Sequence, residues 1–416
     1  MVQGSAIPYL VVFGVSTLVV WCTVPIVRRL GLRAGVVDRP NDRKMHSAPV
    51  VRLGGVSIFL GSLVALLLAW EFGWFGVLPR EQDYEIWGVT IGGLAFFLVG
   101  LADDIFNLSA GFRLVLQLAI AAVAWQVGVS IDFITIPFIG VINLGWLSLP
   151  ITVLWLAGMP NAINWIDGLD GLAAGVSAIA AAVILIASLF MDQPAAALIA
   201  AALAGGCLGF LRYNFKFTSA AEIFMGDGGA YYLGFTLAGV SVLGLVKSVT
   251  TVAVILPYII LAVPILDGSA VLLERLRRGE SLMGAGKHHL HHRLVRAGLS
   301  KRRTVIYIYA LTLWVGSLAL AFSGMPAGGT YAAVTTVIMA IASYQVIVRI
   351  RRQAKQRHLA DRKLGSKHNY DHQPETCSPE SIESLAPEFG QNQEKKAIEE
   401  GKGNNFDNKF DQSNRN

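Results

Sequence analysis

Long uncharged apolar runs dominate this sequence, and they constrain its fold more than any other feature. Of the 416 residues, 54% are hydrophobic and only 15% are charged, which is too apolar for an ordinary soluble domain. About eleven runs approach the length of about 20 residues that a helix needs to cross a bilayer. They lie near residues 8–27, 53–70, 86–102, 113–130, 141–158, 171–190, 195–212, 229–247, 250–273, 304–323 and 328–348. We therefore predict an all-α polytopic membrane protein with about eleven transmembrane helices, although a short hairpin or a re-entrant element is an equal alternative for the fifth run.

Basic residues are distributed unevenly, and their distribution predicts the orientation. Arg and Lys concentrate after the first run, after the ninth and after the last. These segments should be cytoplasmic by the positive-inside rule, with the N-terminus outside and the C-terminus in the cytoplasm. The basic segments account for the net charge of +6. The sequence has no basic stripe interleaved with aromatic residues, so it does not indicate a nucleic-acid partner. A membrane domain of residues 1–350 should precede a polar, disordered cytoplasmic tail, 351–416.

Five aspartates stand at the ends of apolar runs, in glycine-rich contexts. They are Asp103, Asp104, Asp167, Asp170 and Asp227. A carboxylate close to hydrocarbon is costly and usually faces a cation, a charged partner or a water-filled cavity. With the predicted topology all five reach the cytoplasmic membrane surface. We therefore expect one polar site that is assembled from several segments.

The spacing of these aspartates indicates different chemistry at each. Adjacent Asp103 and Asp104 repel each other, which favours a bound cation or a shared proton over a simple helix cap. Asp167 and Asp170 share one face if their segment is helical, although its glycines also favour a ligand-binding loop or a plain turn. Asp227 precedes an apolar helix whose first N–H groups favour anions, but alone it is weak evidence for a site.

Neutral and cationic side chains accompany the aspartates. Asn161 and Asn164 supply oxygen atoms of the kind that Mg²⁺ accepts. The segment 289–293, HLHHR, suits phosphate oxygens better than zinc, with a solvated basic loop as the alternative. The loop before the second run is also basic and contains Arg43, Lys44, His46 and Arg52. Positive-inside charge alone is an alternative explanation for that loop.

Together these features predict phosphoryl transfer at a membrane surface. Carboxylates would hold a divalent cation and cationic side chains would hold phosphate, since this reaction depends on charge neutralisation and positioning. The site would join a soluble nucleotide to a lipid. An ion-coupled secondary transporter is the alternative from another class, but it would place its acids near the bilayer midplane.

In order and combination these motifs resemble those of the polyprenyl-phosphate N-acetylhexosamine-1-phosphate transferases (glycosyltransferase family 4). The resemblance covers residues 36–300. It is carried by DRPNDRKMHSAPVVRLGG, DDIFNLSAGFRLVLQ, NAINWIDGLDGL, FMGDGGA, PILDGSAVLLERLRRGES and HLHHRL. It is strongest to the bacterial undecaprenyl-phosphate GlcNAc-1-phosphate transferases that start teichoic-acid, O-antigen and enterobacterial common antigen synthesis. The phospho-N-acetylmuramoyl-pentapeptide transferase of peptidoglycan synthesis is the alternative within the class.

The resemblance implies an enzyme of the bacterial cytoplasmic membrane with a cytoplasmic cleft. There a polyprenyl phosphate would attack a UDP-sugar with Mg²⁺, or alternatively Mn²⁺, and release UMP; a homodimer is left open. The catalytic residues would be Asp103, Asp104, Asp167, Asp170, His289, His291 and His292. The substrate-binding residues would be Arg43, Lys44, His46, Arg52, Asn161, Arg113 and Arg293, and the metal ligands Asn164 and Asp227. Asp103 would orient or deprotonate the lipid phosphate, and the histidines would contact the sugar or its phosphates.

Overall fold

The computed structural model describes residues 6–38, 49–76, 80–136, 140–216, 218–246, 256–279 and 289–370, which are mostly helical. The helices are α1 (Ile7–Ala34), α2 (Gly54–Glu71), α3 (Arg80–Phe106), α4 (Ala110–Gln126), α5 (Ser148–Ile166), α6 (Leu172–Phe190), α7 (Pro194–Asn214), α8 (Gly226–Ser241), α9 (Leu256–Ile260), α10 (Ala262–Arg278), α11 (Leu290–Arg296), α12 (Lys301–Phe322) and α13 (Gly328–Tyr370). Two short antiparallel strand pairs accompany them, β1 (Val37–Asp38) with β2 (Val50–Val51) and β3 (Phe133–Ile136) with β4 (Gly140–Asn143). A 3-10 turn, Gly145–Leu147, leads into α5, and a π-helical segment, Val242–Val246, extends α8.

Within the described residues, eight helical segments are long and apolar enough to cross a membrane. They are Ile7–Ala34, Gly54–Glu71, Tyr84–Phe106, Gly145–Ile166, Leu172–Phe190, Pro194–Asn214, Lys301–Phe322 and Gly328–Gln353. The prediction of a mostly helical, polytopic membrane protein is therefore confirmed. The count of eleven spans and the orientation of the chain stay predictions.

The other three predicted runs form shorter helices or fall partly outside the described residues. Helix α4 has 17 residues, and α8 has 16 before its π-helical extension. The ninth run begins in the segment 247–255, which lies outside the described residues, and continues as α9 and α10. The fifth run begins in β4, and most of it belongs to the helical segment Gly145–Ile166, which is long and apolar enough to span a membrane. A hydropathy window scores composition over a fixed length, so it does not locate such helix ends.

Helix α8 forms the centre of the bundle and packs against α3, α5 and α2. It is buried from Gly228 to Ser241. A Cβ atom on Gly55 of α2 would lie 2.2 Å from the main-chain nitrogen of Gly229. A Cβ atom on Gly100 of α3 would lie 2.4 Å from the main-chain oxygen of Asp227. These glycines allow backbone-to-backbone approach, as small residues do in membrane bundles, and they bring the end of α3 next to the start of α8.

The short segment that leads into α2 lies against the residues that precede α8. Val51 forms a parallel bridge with Ile223, and Phe224 donates its main-chain N–H to the carbonyl of Val51 at 2.8 Å. Gly54 then donates to the carbonyl of Phe224 at 2.9 Å. Because Arg52 lies between these anchored residues, its side chain is delivered to the glycine-rich segment that begins α8.

The chain divides into two compact units, residues 1–355 and 356–416. Every described residue of the candidate site belongs to the first unit. Residues 371–416 lie outside the described part of the chain, so the predicted disorder of the tail stays a prediction.

Candidate active site

A carboxylate from α3 caps the N-terminus of α8. Asp104 accepts hydrogen bonds from the main-chain N–H groups of Asp227 and Gly228, both at 3.0 Å, and its side chain is only 1% exposed. The helix starts at Gly226, whose φ of 76° is left-handed and favours glycine. N–H groups in the first turn of a helix have no partner within that helix. Asp104 therefore satisfies two of them, and each of its oxygens accepts a hydrogen bond that stabilises the start of α8.

Asp227 stands in the first turn of α8 among several polar side chains, which include the carboxylate of Asp103. Asn164, near the end of α5, donates from Nδ2 to Oδ1 of Asp227 at 2.7 Å. Nη2 of Arg52 lies 3.5 Å from the same oxygen, and Nη1 of Arg113 lies 3.5 Å from Oδ2. The Asp227 side chain is 17% exposed, so it is more accessible than Asp104.

Each of the two arginines also contacts a second carboxylate. Nη1 of Arg113 forms an ion pair with Oδ2 of the buried Asp103. Nη2 of Arg52 lies 3.4 Å from Oδ1 of Asp104. Three carboxylates and two guanidinium groups leave one negative charge when all are ionised, which favours an additional cation. We call this group the acidic cluster: Asp103, Asp104, Asp227, Asn164, Arg52 and Arg113.

The turn between α5 and α6 adds Asp167 to the edge of the acidic cluster. Removal from water raises the pKa of the half-buried Asp167 carboxyl to about 7. Arg52 opposes this increase, whereas Asp104 and Asp170 contribute to it. An ordinary aspartate is fully ionised near neutral pH. Asp167 instead changes its charge in that range.

Asp170 lies in the same turn but has a different environment. Its side chain is exposed, and Oδ2 accepts the main-chain N–H of Ala221 at 3.2 Å. This bond ties the turn to the segment that leads into α8. The sequence grouped Asp167 with Asp170. In the structure Asp167 lies beside charged groups, whereas Asp170 binds the main chain of the segment before α8.

Behind the acidic cluster lies a buried polar layer. Asn161, predicted to contact substrate, donates from Nδ2 to Oε1 of Gln117 at 2.7 Å. Gln117 and Tyr231 are each 1% exposed, and the Tyr231 hydroxyl lies within electrostatic reach of Asp227 and Arg113. Sequence reasoning missed Gln117 and Tyr231. A glutamine within the apolar run LVLQLAI was nevertheless the same kind of signal as an aspartate there.

A second cluster forms where α10 meets the start of α11. Nδ1 of His289 lies 3.0 Å from Oδ2 of Asp267. The rings of His289 and His291 are nearly parallel, at 5°, with centroids 5.8 Å apart. The rings of His291 and His292 have centroids 4.2 Å apart. We call these four residues the histidine cluster. The sequence prediction named its three histidines but not Asp267.

His291 is the most buried ring of the histidine cluster, at 2% exposure. Burial lowers its pKa to about 4; His292 and His289 also lower it, and Asp267 partly opposes them. The ring is therefore neutral at pH 7. Arg293, next but one along α11, is exposed.

The turn between α5 and α6 contacts both clusters. A Cβ atom on Gly168 would lie 2.4 Å from Nε2 of His291, so the main chain of the turn packs directly on this ring. The preceding residue, Asp167, interacts electrostatically with Arg52 of the acidic cluster. The two clusters are therefore neighbouring parts of one site. Three predicted substrate-binding residues, Arg43, Lys44 and His46, fall in 39–48, outside the described residues.

The predicted metal ligands, Asn164 and Asp227, are adjacent in the acidic cluster. Over the described ranges, no three His, Cys, Asp or Glu side chains are placed to hold a metal ion by themselves. Mg²⁺, however, is commonly bound by one or two carboxylates together with water and substrate phosphates. The carboxylate of Asp227 fits this pattern, and Asn164 would add its amide oxygen by turning the amide whose Nδ2 now faces Asp227.

Comparison with known proteins agrees with this geometry. A sequence model described as glycosyl transferase family 4 matches residues 86–245. A "Probable undecaprenyl-phosphate N-acetylglucosaminyl 1-phosphate transferase" of Bacillus subtilis (strain 168) is 37% identical over 312 residues, which are 75% of this chain and 84% of that protein. The chain belongs to glycosyltransferase family 4.

Two further relatives of this family 4 chain extend the comparison. A "Decaprenyl-phosphate N-acetylglucosaminephosphotransferase" of Mycobacterium tuberculosis (strain ATCC 25618 / H37Rv) is 34% identical over 345 residues, 76% of this chain and 83% of that protein. An "Undecaprenyl-phosphate alpha-N-acetylglucosaminyl 1-phosphate transferase" of Escherichia coli (strain K12) is 27% identical over 300 residues, 70% of this chain and 78% of that protein. The resemblance drawn from the motifs is thereby confirmed.

The part of the family 4 chain that matches the family model contains most of the acidic cluster. Residues 86–245 include Asp103, Asp227 and Arg113. The histidine cluster lies beyond residue 245, so it is not part of the matched segment. The matched segment therefore coincides with the charged half of the site.

Proposed function

We propose that this protein transfers GlcNAc-1-phosphate from UDP-GlcNAc to a polyprenyl phosphate and releases UMP. The observation that carries the proposal is the 34–37% identity, over about three quarters of the chain, to proteins named for this transfer. The acidic cluster supports it, because phosphoryl transfer relies on charge neutralisation and positioning rather than on a protein nucleophile.

The reaction exchanges one phosphoanhydride bond for another. An oxygen of the lipid phosphate bonds to the β-phosphorus of the nucleotide sugar, and the bond from that phosphorus to the oxygen bridging to UMP breaks. UMP leaves with the electron pair. Arg52 and Arg113 already hold carboxylates in place, and they would exchange part of these contacts for phosphate oxygens.

Asp103 acts through Arg113 in this proposal. A phosphate monoester has a second pKa of about 6, so the lipid phosphate is largely dianionic at neutral pH and needs no strong base. The ion pair between Asp103 and Arg113 instead fixes the guanidinium group where the attacking phosphate would bind. Of the two roles predicted from the family resemblance, orientation is therefore favoured over deprotonation.

Asn164 and Asp227 would hold Mg²⁺ in this proposal. When bound, the ion would neutralise oxygens of the diphosphate and of the departing UMP. Arg52 and Arg113 keep Asp227 oriented from two sides. Asp104 accepts hydrogen bonds from the first N–H groups of α8 and so stabilises the helix end that carries Asp227.

The proposed location is the bacterial cytoplasmic membrane, with the site on the cytoplasmic side. The basic segments after the first, ninth and last apolar runs support this orientation by the positive-inside rule. The site would then face the compartment that contains nucleotide sugars, and the bilayer would supply the polyprenyl phosphate.

A transfer assay with the purified protein tests the proposal. With Mg²⁺, undecaprenyl phosphate and radiolabelled UDP-GlcNAc, we expect lipid-linked GlcNAc and UMP to form in equal amounts. UDP-GalNAc and UDP-MurNAc-pentapeptide serve as competing donors. Absence of any lipid product from all three donors would refute the proposal, and a clear preference for the pentapeptide donor would reassign the substrate.

A further inference from the structure

One carboxylate of the histidine cluster has no role in the proposed reaction. Asp267 lies on α10, is 8% exposed, and contacts the start of α11 with both of its oxygens. Oδ2 lies 3.0 Å from Nδ1 of His289, and Oδ1 accepts the main-chain N–H of Leu290 at 2.6 Å. The two contacts join the carboxylate to the imidazole and to the backbone beside it.

The contact with Nδ1 determines which nitrogen of His289 carries the proton. An ionised carboxylate only accepts hydrogen bonds, so the proton of the neutral ring stands on Nδ1. Nε2 then carries a lone pair and accepts hydrogen bonds. Among the described residues, Nε2 of His289 has no hydrogen-bond partner.

Neighbouring rings hold the position of His289 independently of Asp267. His291 lies nearly parallel to it, and the ring of Trp165 has its centroid 6.4 Å away. His289 is itself 5% exposed. Because packing already places the ring, the contribution that is specific to Asp267 is the choice of tautomer.

We propose that Asp267 is a positioning residue that presents Nε2 of His289 as a hydrogen-bond acceptor to a donor group of the nucleotide sugar. This inference rests on the proposed function and specifies the chemistry at one end of its donor site. The diphosphate of a nucleotide sugar carries no proton at neutral pH and cannot donate to Nε2. The partner is therefore a hydroxyl or an amide N–H, which occur on the uracil, the ribose and the N-acetylhexosamine.

The substitution Asp267→Asn reverses the tautomer while keeping the shape. The asparagine carbonyl can still accept the N–H of Leu290, but its amide donates to Nδ1, so the ring proton moves to Nε2. In full-length protein with ¹⁵N-labelled histidine in detergent micelles, Nδ1 of His289 should be protonated in the wild type and unprotonated in Asp267→Asn. The variant His289→Gln assigns the signal. An unprotonated Nδ1, or a doubly protonated ring, in the wild type at neutral pH overturns the proposal.

Kinetics test the consequence for the substrate. We expect Asp267→Asn to raise KM for UDP-GlcNAc by about tenfold to a hundredfold, because two donors then face each other, with KM for the polyprenyl phosphate unchanged. Inhibition by UDP separates the two sources of the donor group. Inhibition weakened by the same factor assigns it to the uridine, and unchanged inhibition assigns it to the N-acetylhexosamine.

A matched control is available in the strand-pair region before α5. The carboxylate of Asp132 also accepts two hydrogen bonds, from the hydroxyls of Ser130 at 2.7 Å and Ser148 at 2.9 Å. Asp132→Asn should keep the wild-type KM. Asp132 is exposed, so this control separates the loss of a carboxylate with two hydrogen bonds from the loss of the one that faces His289.

A double-mutant cycle shows whether Asp267 acts through His289. In a His289→Gln background, Asp267→Asn should change KM by less than about twofold. Fully additive losses would overturn the proposal, and so would a KM of the single variant within about twofold of the wild type. If Asp267→Asn does not fold, the wild-type spectrum still decides the tautomer. If the wild type makes no lipid product, the proposed function fails while the tautomer stands.

Discussion

The acidic cluster and the histidine cluster contact the same turn of the chain, yet they handle charge in opposite ways. In the acidic cluster every carboxylate lies within ion-pair distance of an arginine. In the histidine cluster the central ring, His291, is kept neutral by burial, and one carboxylate faces one ring. The first arrangement suits phosphates and a cation, which can exchange with existing ion pairs. The second suits uncharged donor groups, which need acceptors at fixed positions.

This difference predicts that the two clusters affect different kinetic parameters. Changes in the acidic cluster should reduce the rate of transfer for every nucleotide sugar, because the transferred phosphate is common to all of them. Changes in the histidine cluster should mainly alter the affinity for the donor. A variant that violates this rule would show that the two clusters act as one unit.

The largest effect is expected from Asp227→Asn. The substitution removes the charge that balances Arg52 and Arg113 and removes an oxygen proposed for Mg²⁺. We expect kcat to fall by about a thousandfold, as for the loss of one preorganised electrostatic group. Initial rates with radiolabelled UDP-GlcNAc measure it, and Asp132→Asn provides the control. A rate above a tenth of the wild-type value would contradict the assignment.

The next effect is a difference in stability between variants of two neighbouring residues of the acidic cluster, Asp104 and Asp103. Asp104→Ala leaves the N–H groups of Asp227 and Gly228 without their acceptor, whereas Asp103→Ala removes side-chain contacts with Arg113 and Asp227 but no helix cap. We expect Asp104→Ala to reduce the free energy of unfolding by about 2 kcal/mol, the usual result of losing a helix cap in a buried setting. Thermal unfolding in detergent compares the two variants. Equal unfolding midpoints would mean that the cap contributes little.

The role of Asp104 also shows where sequence reasoning reached its limit. Carboxylates within apolar runs stand out because they are costly near hydrocarbon, so the sequence was sufficient to select Asp103, Asp104 and Asp227. It could not assign Asp104 to the end of α8, because that bond joins residues 123 and 124 positions apart. Only the tight packing of α3 on α8 creates it.

Asp267 is a residue of the histidine cluster whose role the sequence could not assign either. It stands in the quoted motif PILDGSAVLLERLRRGES, yet its role depends on a contact with His289, 22 residues further along the chain. The helical membrane fold, by contrast, follows from composition and run length alone. The number of spans does not, because helix ends such as those of α8 and α10 are set by packing and by local breaks rather than by hydropathy.

A smaller effect should come from the turn that links the clusters. In Gly168→Ala the new Cβ atom would lie 2.4 Å from Nε2 of His291, so the ring or the turn must move. We expect KM for UDP-GlcNAc to rise by about tenfold, since small displacements at a substrate site have effects of this order or larger. The matched control is Gly158→Ala on α5, where a Cβ atom meets nothing within 4 Å. A fall in kcat with unchanged KM would contradict the proposed difference between the clusters.

The smallest effect concerns how stability changes with pH, for which His291 of the histidine cluster and Asp167 at the edge of the acidic cluster predict opposite signs. The folded His291 has a pKa lowered to about 4 from the ordinary 6.5, so its contribution is complete above pH 6.5 and is lost as the pH falls through about 4. The folded Asp167 has a pKa raised from the ordinary 3.8 to about 7. Its contribution is complete below pH 3.8 and is lost as the pH rises through about 7.

Unfolding midpoints between pH 4 and pH 8, measured without ligands, test both signs in one experiment. Relative to the wild type, His291→Asn should be most stable at the acidic end, because it removes a ring that resists protonation there. Asp167→Asn should be most stable at the neutral end, because it removes a carboxyl group that resists ionisation. We expect differences of roughly 2 °C. If the two variants shift in the same direction across this range, the electrostatic contrast between the clusters is wrong, even if each residue matters for catalysis.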